Sequence, residues 1–356
     1  MKKIFNLSVL ILFFGTLQAQ MAAVSGTTEV RNIIILVGDG MGIAQVQAAM
    51  SVSKDKLNIE RAQFTGFSKT YSADDYTTDS GAGATAIFTG KKTYNTAISV
   101  DINFNSLKSI SQYAHEAGHV TGTVVSCDLV HATPAAFNTQ NARRSNYGEI
   151  AQSYLLSNAD VLIGGGSRLF DSLGLTAAFR KKGYMVEKSL EALNASTDRP
   201  VLVQPFEEHA PKMSEGRGSY LPDATRFALE KLNRHEKGFL LMIEGSQIDW
   251  GGHANDIDYV ISELLDFDQC VGAAFDFADA NPGTLVIVTA DHETGGLTLI
   301  DFDDETKKLI YNFSTSNHTG VMVPVFAYGT GANNFTGIME NTDLFYKMMA
   351  AFGLQP

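Results

Sequence analysis

Short apolar runs recur along the chain, and each stops at a glycine or a polar residue. The first, 32–37, reads Asn-Ile-Ile-Ile-Leu-Val and ends at a glycine-rich turn around Asp39. Continuous apolar runs of this length are typical of strands that are buried on both faces, as in a parallel sheet. The sequence predicts such strands at 32–37, 120–127, 160–163, 238–243, 285–289 and 323–328.

Helical patterns lie between these runs. One helix is predicted from about Ile43, and the clearest covers 257–277, where apolar residues return to one face at 260, 264, 267, 271 and 275. Strands that alternate with helices predict an α/β fold, a three-layer sandwich with a central, mostly parallel sheet and helices on both faces. Such folds bind ligands beyond the carboxyl ends of their strands, which is where the polar turns fall.

The first residues have the pattern of a secretory signal. Lys2 and Lys3 precede an apolar run at 9–14, and small residues continue to Ala19. The run is too short to span a bilayer comfortably, which favours a signal over 1–19, removed near Ala19, rather than a membrane anchor. We therefore expect a periplasmic or secreted protein without a membrane segment in its mature chain.

The rest of the chain, 20–356, contains no internal repeat or long linker and predicts a single domain. The segment 166–236 is more polar and less regular, and it is a candidate insertion that forms a rim or crown over a site. Only two cysteines occur, Cys127 and Cys270. Two buried free thiols are favoured over one disulfide, and a cysteine-based zinc finger is excluded.

Composition adds a constraint on partners. The formal net charge is −12, which argues against a nucleic-acid partner, because phosphate backbones are bound by basic surfaces. A small phosphate compound is still compatible, since bound divalent cations can reverse the local field.

Carboxylates and histidines follow the predicted strands. Together these residue types are typical of zinc sites, and sites dominated by oxygen ligands favour magnesium. A single strand-end aspartate is more often a helix cap, and a single histidine is more often a hydrogen-bonded core residue. A site for several metals explains why so many such residues follow strands: Asp39, Glu244, Asp249, His253, Asp291, His292 and His318.

Ser80 is the candidate nucleophile. It precedes a run of small residues that predicts a helix, so it lies near a helix N-terminus, where anions are favoured. Taken alone, Asp79-Ser80 is more simply explained as a helix cap. No Gly-x-Ser-x-Gly motif or Ser-His-Asp order supplies a base, which leaves metal coordination as the means of activating a serine.

The order and content of these motifs resemble the alkaline phosphatase family. The resemblance covers the chain from about residue 32 to residue 328. The matching blocks are DGMG at 39–42, TDSGAGATA at 78–86, TG at 89–90, HATPAA at 131–136, EGSQID at 244–249 with GH at 252–253, TADHETGG at 289–296 and NHTG at 317–320.

The resemblance implies a homodimeric enzyme that hydrolyses phosphate monoesters through a phosphoserine, with two Zn²⁺ and one Mg²⁺ per chain. The first zinc would be held by Asp249, His253 and His318. The second would be held by Asp39, Asp291 and His292, beside Ser80. Magnesium would be held by Asp39, Thr133 and Glu244.

The resemblance also implies roles in phosphate binding for two further residues. Arg144 would clamp the phosphoryl oxygens, with Arg143 as the competing candidate, and spacing from Thr133-Pro134 favours Arg144. Asp79 would orient that arginine, and a helix-capping role is an equal alternative.

Two positions follow one branch of the family. His131 and Trp250 stand where other members have an acid and a lysine. His131 would lie around the third metal, and Trp250 would pack against substrate or fill space.

Two alternative functions are considered. One is a phosphodiesterase or sulfatase of the same superfamily, although Ser80 is followed by Gly-Ala-Gly-Ala rather than the Pro-x-Arg context of sulfatases. The other is an inactive metal- or phosphate-binding protein, which the complete set of candidate residues disfavours.

Overall fold

A computed structural model describes residues 29–356 of the chain, so the predicted signal over 1–19 lies outside the described residues. The strands are β1 (Asn32–Gly38), β2 (Phe64–Lys69), β3 (Val120–Asp128), β4 (Val161–Gly165), β5 (Met185–Glu187), β6 (Val201–Val203), β7 (Phe239–Gly245), β8 (Thr284–Thr289), β9 (Glu293–Thr294), β10 (Leu297–Asp303), β11 (Lys308–Phe313), β12 (His318–Thr319), β13 (Val323–Gly329) and β14 (Gly337–Glu340).

The helices are α1 (Ile43–Val52), α2 (Ser80–Thr89), α3 (Ile110–Glu116), α4 (Ala132–Asn138), α5 (Tyr147–Ser153), α6 (Ser167–Ser172), α7 (Leu175–Lys181), α8 (Tyr220–Leu232), α9 (Ile248–His253), α10 (Ile257–Ala280) and α11 (Asn341–Ala351). Short 3₁₀ turns occur at Asn58–Arg61, Met213–Glu215 and Ala332–Asn334. None of the helices within residues 29–356 is both long and apolar enough to cross a bilayer.

One ten-stranded sheet organises the fold, in the order β14-β2-β13-β8-β1-β7-β3-β4-β6-β5. β13 runs antiparallel to both neighbours, β2 and β8, and the other pairs are parallel. The mostly parallel sheet predicted from the sequence is therefore confirmed. All six predicted strands and the long helix are present, within a few residues of the predicted bounds.

Side chains of the central strands alternate between two cores. In β1, Ile33 and Ile35 pack in one core and Ile34 and Leu36 pack in the other, and all four are fully buried. Helices α2, α4 and α11 cover the first core, and α1, α8 and α10 cover the second. Because both faces are covered, β1 must be apolar throughout, which explains its continuous run. The predicted three-layer sandwich is confirmed.

The segment 166–236 contributes to the central sheet. It supplies β5 and β6 at one sheet edge and α8 on the second core. The irregular stretch before α8 is tied to α10, because buried Arg217 forms ion pairs with Glu263 and with Asp266, the latter at 2.9 Å. This anchored stretch carries His209 toward the ends of the strands.

Strand register brings acidic residues of three strands to the same edge of the sheet. Val37 of β1 is the register partner of Glu244 in β7 and of Thr289 in β8. Asp39 and Asp291 each follow two residues beyond these positions. The carboxyl ends of three neighbouring strands therefore deliver acids to the same edge of the sheet.

Candidate metal centre

The first cluster contains Asp39, Asp291 and His292, and each side chain is at most 1% exposed. The His292 Nε2 atom lies 3.5 Å from Asp39 Oδ1 and 3.3 Å from Asp291 Oδ2. Neither of these two carboxylate oxygens has a hydrogen-bond partner among the described residues. Buried carboxylate oxygens without donors are costly, and a bound cation would satisfy them.

The second cluster combines Asp249 and His253 of α9 with His318 of β12. The His253 Nε2 atom is 3.3 Å from Asp249 Oδ2, and the His318 Nε2 atom is 3.5 Å from Asp249 Oδ1. The two histidine Nε2 atoms are 3.2 Å apart. Asp249 and His253 are four residues apart in α9 and share one helix face, and the fold adds His318 to them.

Backbone carbonyls orient these rings. The His253 Nδ1 atom is 2.7 Å from the Ser316 carbonyl, and the His318 Nδ1 atom is 2.9 Å from the Thr78 carbonyl. A carbonyl only accepts, so each Nδ1 carries the donated proton. Each Nε2 is thereby directed to the cluster, the arrangement that metal-binding histidines commonly show.

The acids of the centre have displaced pKa values. Burial, with repulsion from Asp291, raises the pKa of Asp39 well above its usual range. Burial, with repulsion from Asp249, raises the pKa of Asp291 to about 6. Although burial alone would raise it, the His253 hydrogen bond and neighbouring imidazoles leave the pKa of Asp249 below its usual range. The buried carboxylates repel one another, and a bound divalent cation would remove this repulsion.

Thr294 joins the two clusters. Its Oγ1 donates to Asp249 Oδ1 and lies 3.2 Å from His292 Nδ1. The neighbouring Glu293 accepts from Gln45 Nε2 at 2.7 Å and from Leu297 N at 3.1 Å, which fixes β9. Neither residue had a role assigned from the sequence, although both belong to the block at 289–296. The only available signal was their position directly after Asp291-His292.

A third group lies beside the first cluster. Thr133 Oγ1 and Glu244 Oε1 are fully buried and have no hydrogen-bond partner in the described chain. The Glu244 Oε2 atom accepts from Ser246 Oγ at 2.8 Å, and burial raises the pKa of Glu244 to about 7. The Glu244 charge also raises the pKa of Asp39, so the two acids are close. These are oxygen donors, the type that magnesium prefers.

Ser80 is the first residue of α2 and is 2% exposed. Its Oγ lies 3.2 Å from His292 Nε2, at the first cluster. The helix cap is Asp79, whose Oδ1 accepts from Ala82 N at 2.9 Å. Because Asp79 caps the helix, the Ser80 hydroxyl is not used as the cap.

Asp79 has both of the roles between which the sequence could not decide. Its Oδ1 caps α2, and its Oδ2 accepts from Arg144 Nη1 at 2.9 Å. Burial would raise the pKa of Asp79, but Arg144 and the backbone donors hold it below its usual range. The Arg144 charge partly offsets the burial and the acids that raise the pKa of Asp39, so Arg144 also lies near that carboxylate. The neighbouring Arg143 is exposed.

Three rings lie beside the clusters. His131 meets Trp250 edge-on at 5.8 Å between ring centres, and His209 meets Trp250 at 4.8 Å. Burial lowers the pKa of His131 to about 3, so this ring is neutral. His209 was not predicted from the sequence, because no motif marks it and the anchored stretch before α8 brings it here.

Both cysteines are buried and free, as the sequence analysis favoured. Cys127 lies 3.4 Å from Glu244 Oε2 through its Sγ atom, and burial raises the pKa of its thiol well above the usual range. The thiol is therefore a weak donor to Glu244.

Known proteins are similar to this chain in sequence and in fold. The family model described as "Alkaline phosphatase" matches residues 30–303 and 300–354. Alkaline phosphatase 4 of Bacillus subtilis is 34% identical, covering 88% of this chain and 87% of the relative. Streptomycin-6-phosphate phosphatase of Streptomyces griseus is 32% identical, covering 93% of this chain and 92% of the relative.

A solved alkaline phosphatase structure is also similar to this chain. The alkaline phosphatase from the Antarctic bacterium TAB5 superposes with a TM-score of 0.87 at 35% identity, covering 93% of this chain and 100% of that one. A variant of that enzyme, with one histidine changed to aspartate, was solved with Mg bound in its M3 site.

Proposed function

The chain belongs to the alkaline phosphatase family, and from this premise we propose that it hydrolyses phosphate monoesters with Ser80 as the nucleophile. One observation carries the proposal: Ser80 Oγ lies 3.2 Å from His292 Nε2, at the cluster that also contains Asp39 and Asp291. A serine in this position needs no separate histidine base, because metal coordination can activate a hydroxyl.

We propose that the two clusters hold zinc and that the oxygen-rich group holds magnesium. Asp249, His253 and His318 are the ligands of the first zinc, and Asp39, Asp291 and His292 those of the second. The donor types fit zinc, and the partnerless buried oxygens of Asp39 and Asp291 support a cation there. When bound, the metals supply Lewis acidity that lowers the pKa of the serine hydroxyl and stabilises the leaving alcohol.

For magnesium the proposed ligands are Asp39, Thr133 and Glu244. The buried Thr133 Oγ1 and Glu244 Oε1 atoms, which lack partners in the described chain, support this assignment. His131 and Trp250 line the same region without supplying a carboxylate. With Asp39 and Glu244, the third site has two carboxylates, one more than the site of Asp249, His253 and His318.

Each residue of the site has its own role in the reaction. Ser80 Oγ gives up its proton to solvent and bonds to phosphorus, while the bond from phosphorus to the ester oxygen breaks and the alcohol leaves with a proton from water. The N-terminus of α2 and the Arg144 guanidinium stabilise the negative charge on the phosphoryl oxygens. Asp79 holds Arg144 through the 2.9 Å hydrogen bond. Water then attacks the phosphoserine, releases inorganic phosphate and restores the hydroxyl.

We also propose that the protein is exported and acts as a homodimer. The N-terminal sequence pattern supports export, and family membership supports the dimer. Its substrates are small phosphate monoesters.

Purified protein supplied with Zn²⁺ and Mg²⁺ is expected to hydrolyse p-nitrophenyl phosphate much faster than bis(p-nitrophenyl) phosphate at alkaline pH. A monoester has three unesterified oxygens, enough for both arms of the Arg144 fork and one cation contact, whereas a diester has two and loses one of these contacts. Release of p-nitrophenol from each ester gives the ratio of kcat/KM. Faster cleavage of the diester would favour a phosphodiesterase, and no turnover of either would favour a binding protein.

Arg144→Ala is expected to lower kcat/KM for p-nitrophenyl phosphate by roughly a hundredfold or more, the usual effect of removing a preorganised charged donor. Arg144→Lys should recover little, because an ammonium cannot form two parallel hydrogen bonds. Arg143→Ala is the matched control and should stay within about twofold of the unmodified protein, since Arg143 is exposed. Similar losses in the two alanine variants would contradict the assignment of the clamp.

A further inference from the structure

A cavity of about 410 Å³ opens beside the candidate metal centre. This volume falls within the range of roughly 300–1,000 Å³ that is usual for small-molecule sites. His131 and His209 form the wall nearest the centre, and Val130 and Leu169 supply apolar surface. The reaction steps proposed above do not use this space.

The cavity adjoins the phosphate site through His131. That ring lines the cavity and also meets Trp250 at 5.8 Å, and Trp250 directly follows the cluster residue Asp249. A phosphate bound at the centre that includes Asp249 therefore has the cavity within reach of the group esterified to it.

The wall offers aromatic surface and an available hydrogen-bond donor. Asp128 N donates to His209 Nδ1 at 3.0 Å, so the neutral ring carries its proton on Nε2. Within the described chain, that Nε2 makes no hydrogen bond, and the His209 side chain is half-buried. A ring with a free N–H suits a group that has an apolar face and several hydroxyls, such as a sugar.

The rim carries a negative charge. Arg168 forms ion pairs with Glu207 at 3.1 Å and with Glu208 at 2.9 Å, and Asp128 is a third acid beside them. One positive and three negative formal charges leave a net charge of −2. Burial raises the pKa of Asp128 to about 6, so its carboxylate is still ionised at alkaline pH. The rim therefore accepts hydrogen bonds from hydroxyl groups and repels a second anion.

We propose that this cavity receives the alcohol portion of the substrate and favours phosphate monoesters of uncharged sugars over those that carry a second negative charge. The proposal rests on the monoesterase function and specifies its substrate class. The discrimination comes from Glu208, Glu207 and Asp128 acting on the leaving group, which lies outside the metal centre.

The test compares α-D-glucose 1-phosphate with α-D-glucuronic acid 1-phosphate, which differ by one carboxylate, and uses ethyl phosphate as a substrate too small to fill the cavity. The unmodified protein should prefer the glucose ester about tenfold in kcat/KM at low salt. Glu208→Gln removes one of the two net charges and should reduce this preference to about threefold. Glu230→Gln, at an exposed position on α8, changes the overall charge equally and should leave the preference unchanged.

A second variant tests the volume. Ser172 is exposed and lines the cavity, so Ser172→Trp should fill part of it without disturbing the core. It should lower kcat/KM for glucose 1-phosphate at least about fivefold and leave ethyl phosphate within about twofold. Equal effects on both substrates, or the same preference in the two glutamine variants, would overturn the proposal. Failure of the unmodified protein to hydrolyse ethyl phosphate would instead refute the monoesterase function.

Discussion

Ser80→Ala is expected to lower kcat/KM for p-nitrophenyl phosphate on the order of ten-thousand-fold, because the variant lacks the atom that bonds to phosphorus. The fold should be unaffected. Asp79 caps α2 through its own carboxylate, and the Ser80 side chain makes its hydrogen-bond contact only with His292 in the described chain. Thermal unfolding and zinc content should therefore match the unmodified protein.

The covalent intermediate provides a second measurement. Acid quenching during turnover, followed by peptide mass spectrometry, should find phosphate on the peptide that contains Ser80. Ser111→Ala, a buried serine on α3 away from the clusters, is the control and should keep its activity and the phosphopeptide. An active Ser80→Ala variant, or phosphate on another residue, would refute the proposed nucleophile.

Removing the metals with a chelator is expected to abolish activity and to lower the thermal unfolding temperature by roughly 10 °C. A ligand present at a thousand times its dissociation constant stabilises a protein by about 4 kcal/mol, and several metals add to this. The buried carboxylates of Asp39, Asp291 and Glu244 explain the direction. Without cations they repel one another, and oxygens of all three lack partners in the described chain. Zinc and magnesium together should restore both properties.

Asp291→Asn separates metal binding from ordinary folding stability. It removes one buried charge, so the metal-free variant should be as stable as the metal-free unmodified protein, or more stable. With zinc it should gain less stability and bind less metal by calorimetry. Asp55→Asn, at an exposed position, is the control and should behave like the unmodified protein in both states. A zinc-dependent gain in Asp291→Asn as large as in the unmodified protein would contradict the proposed ligand set.

The main elements could be predicted because burial leaves a clear mark on sequence. β1, β7 and β8 are buried on both faces and consist almost entirely of apolar residues. The strands β2 and β14 left no such mark, since Phe67 and Ile338, which pair across them, are exposed on one face. β5 and β6 have three residues each, too few to show a period.

Without the family resemblance, the candidate site was predictable only where neighbours in sequence are neighbours in space. Asp249 and His253 share a helix turn, so their spacing indicated a common direction. The contact of Thr294 with Asp249, or of His209 with Trp250, joins residues far apart along the chain. No local pattern specifies such contacts, and they depend on β9 and on the stretch that Arg217 anchors.

The layers of the fold, the residue types of the centre and the family could all be read from the sequence, because apolar runs and the order of motifs are visible along the chain. Tertiary structure decided how these residues meet. The register of β1 with β7 and β8 sets Asp39 and Asp291 at one level, two residues beyond the level of Glu244. The two oxygens of Asp79 allow it to cap α2 and to hold Arg144 at the same time. Both outcomes follow from side chains brought together by packing between distant segments.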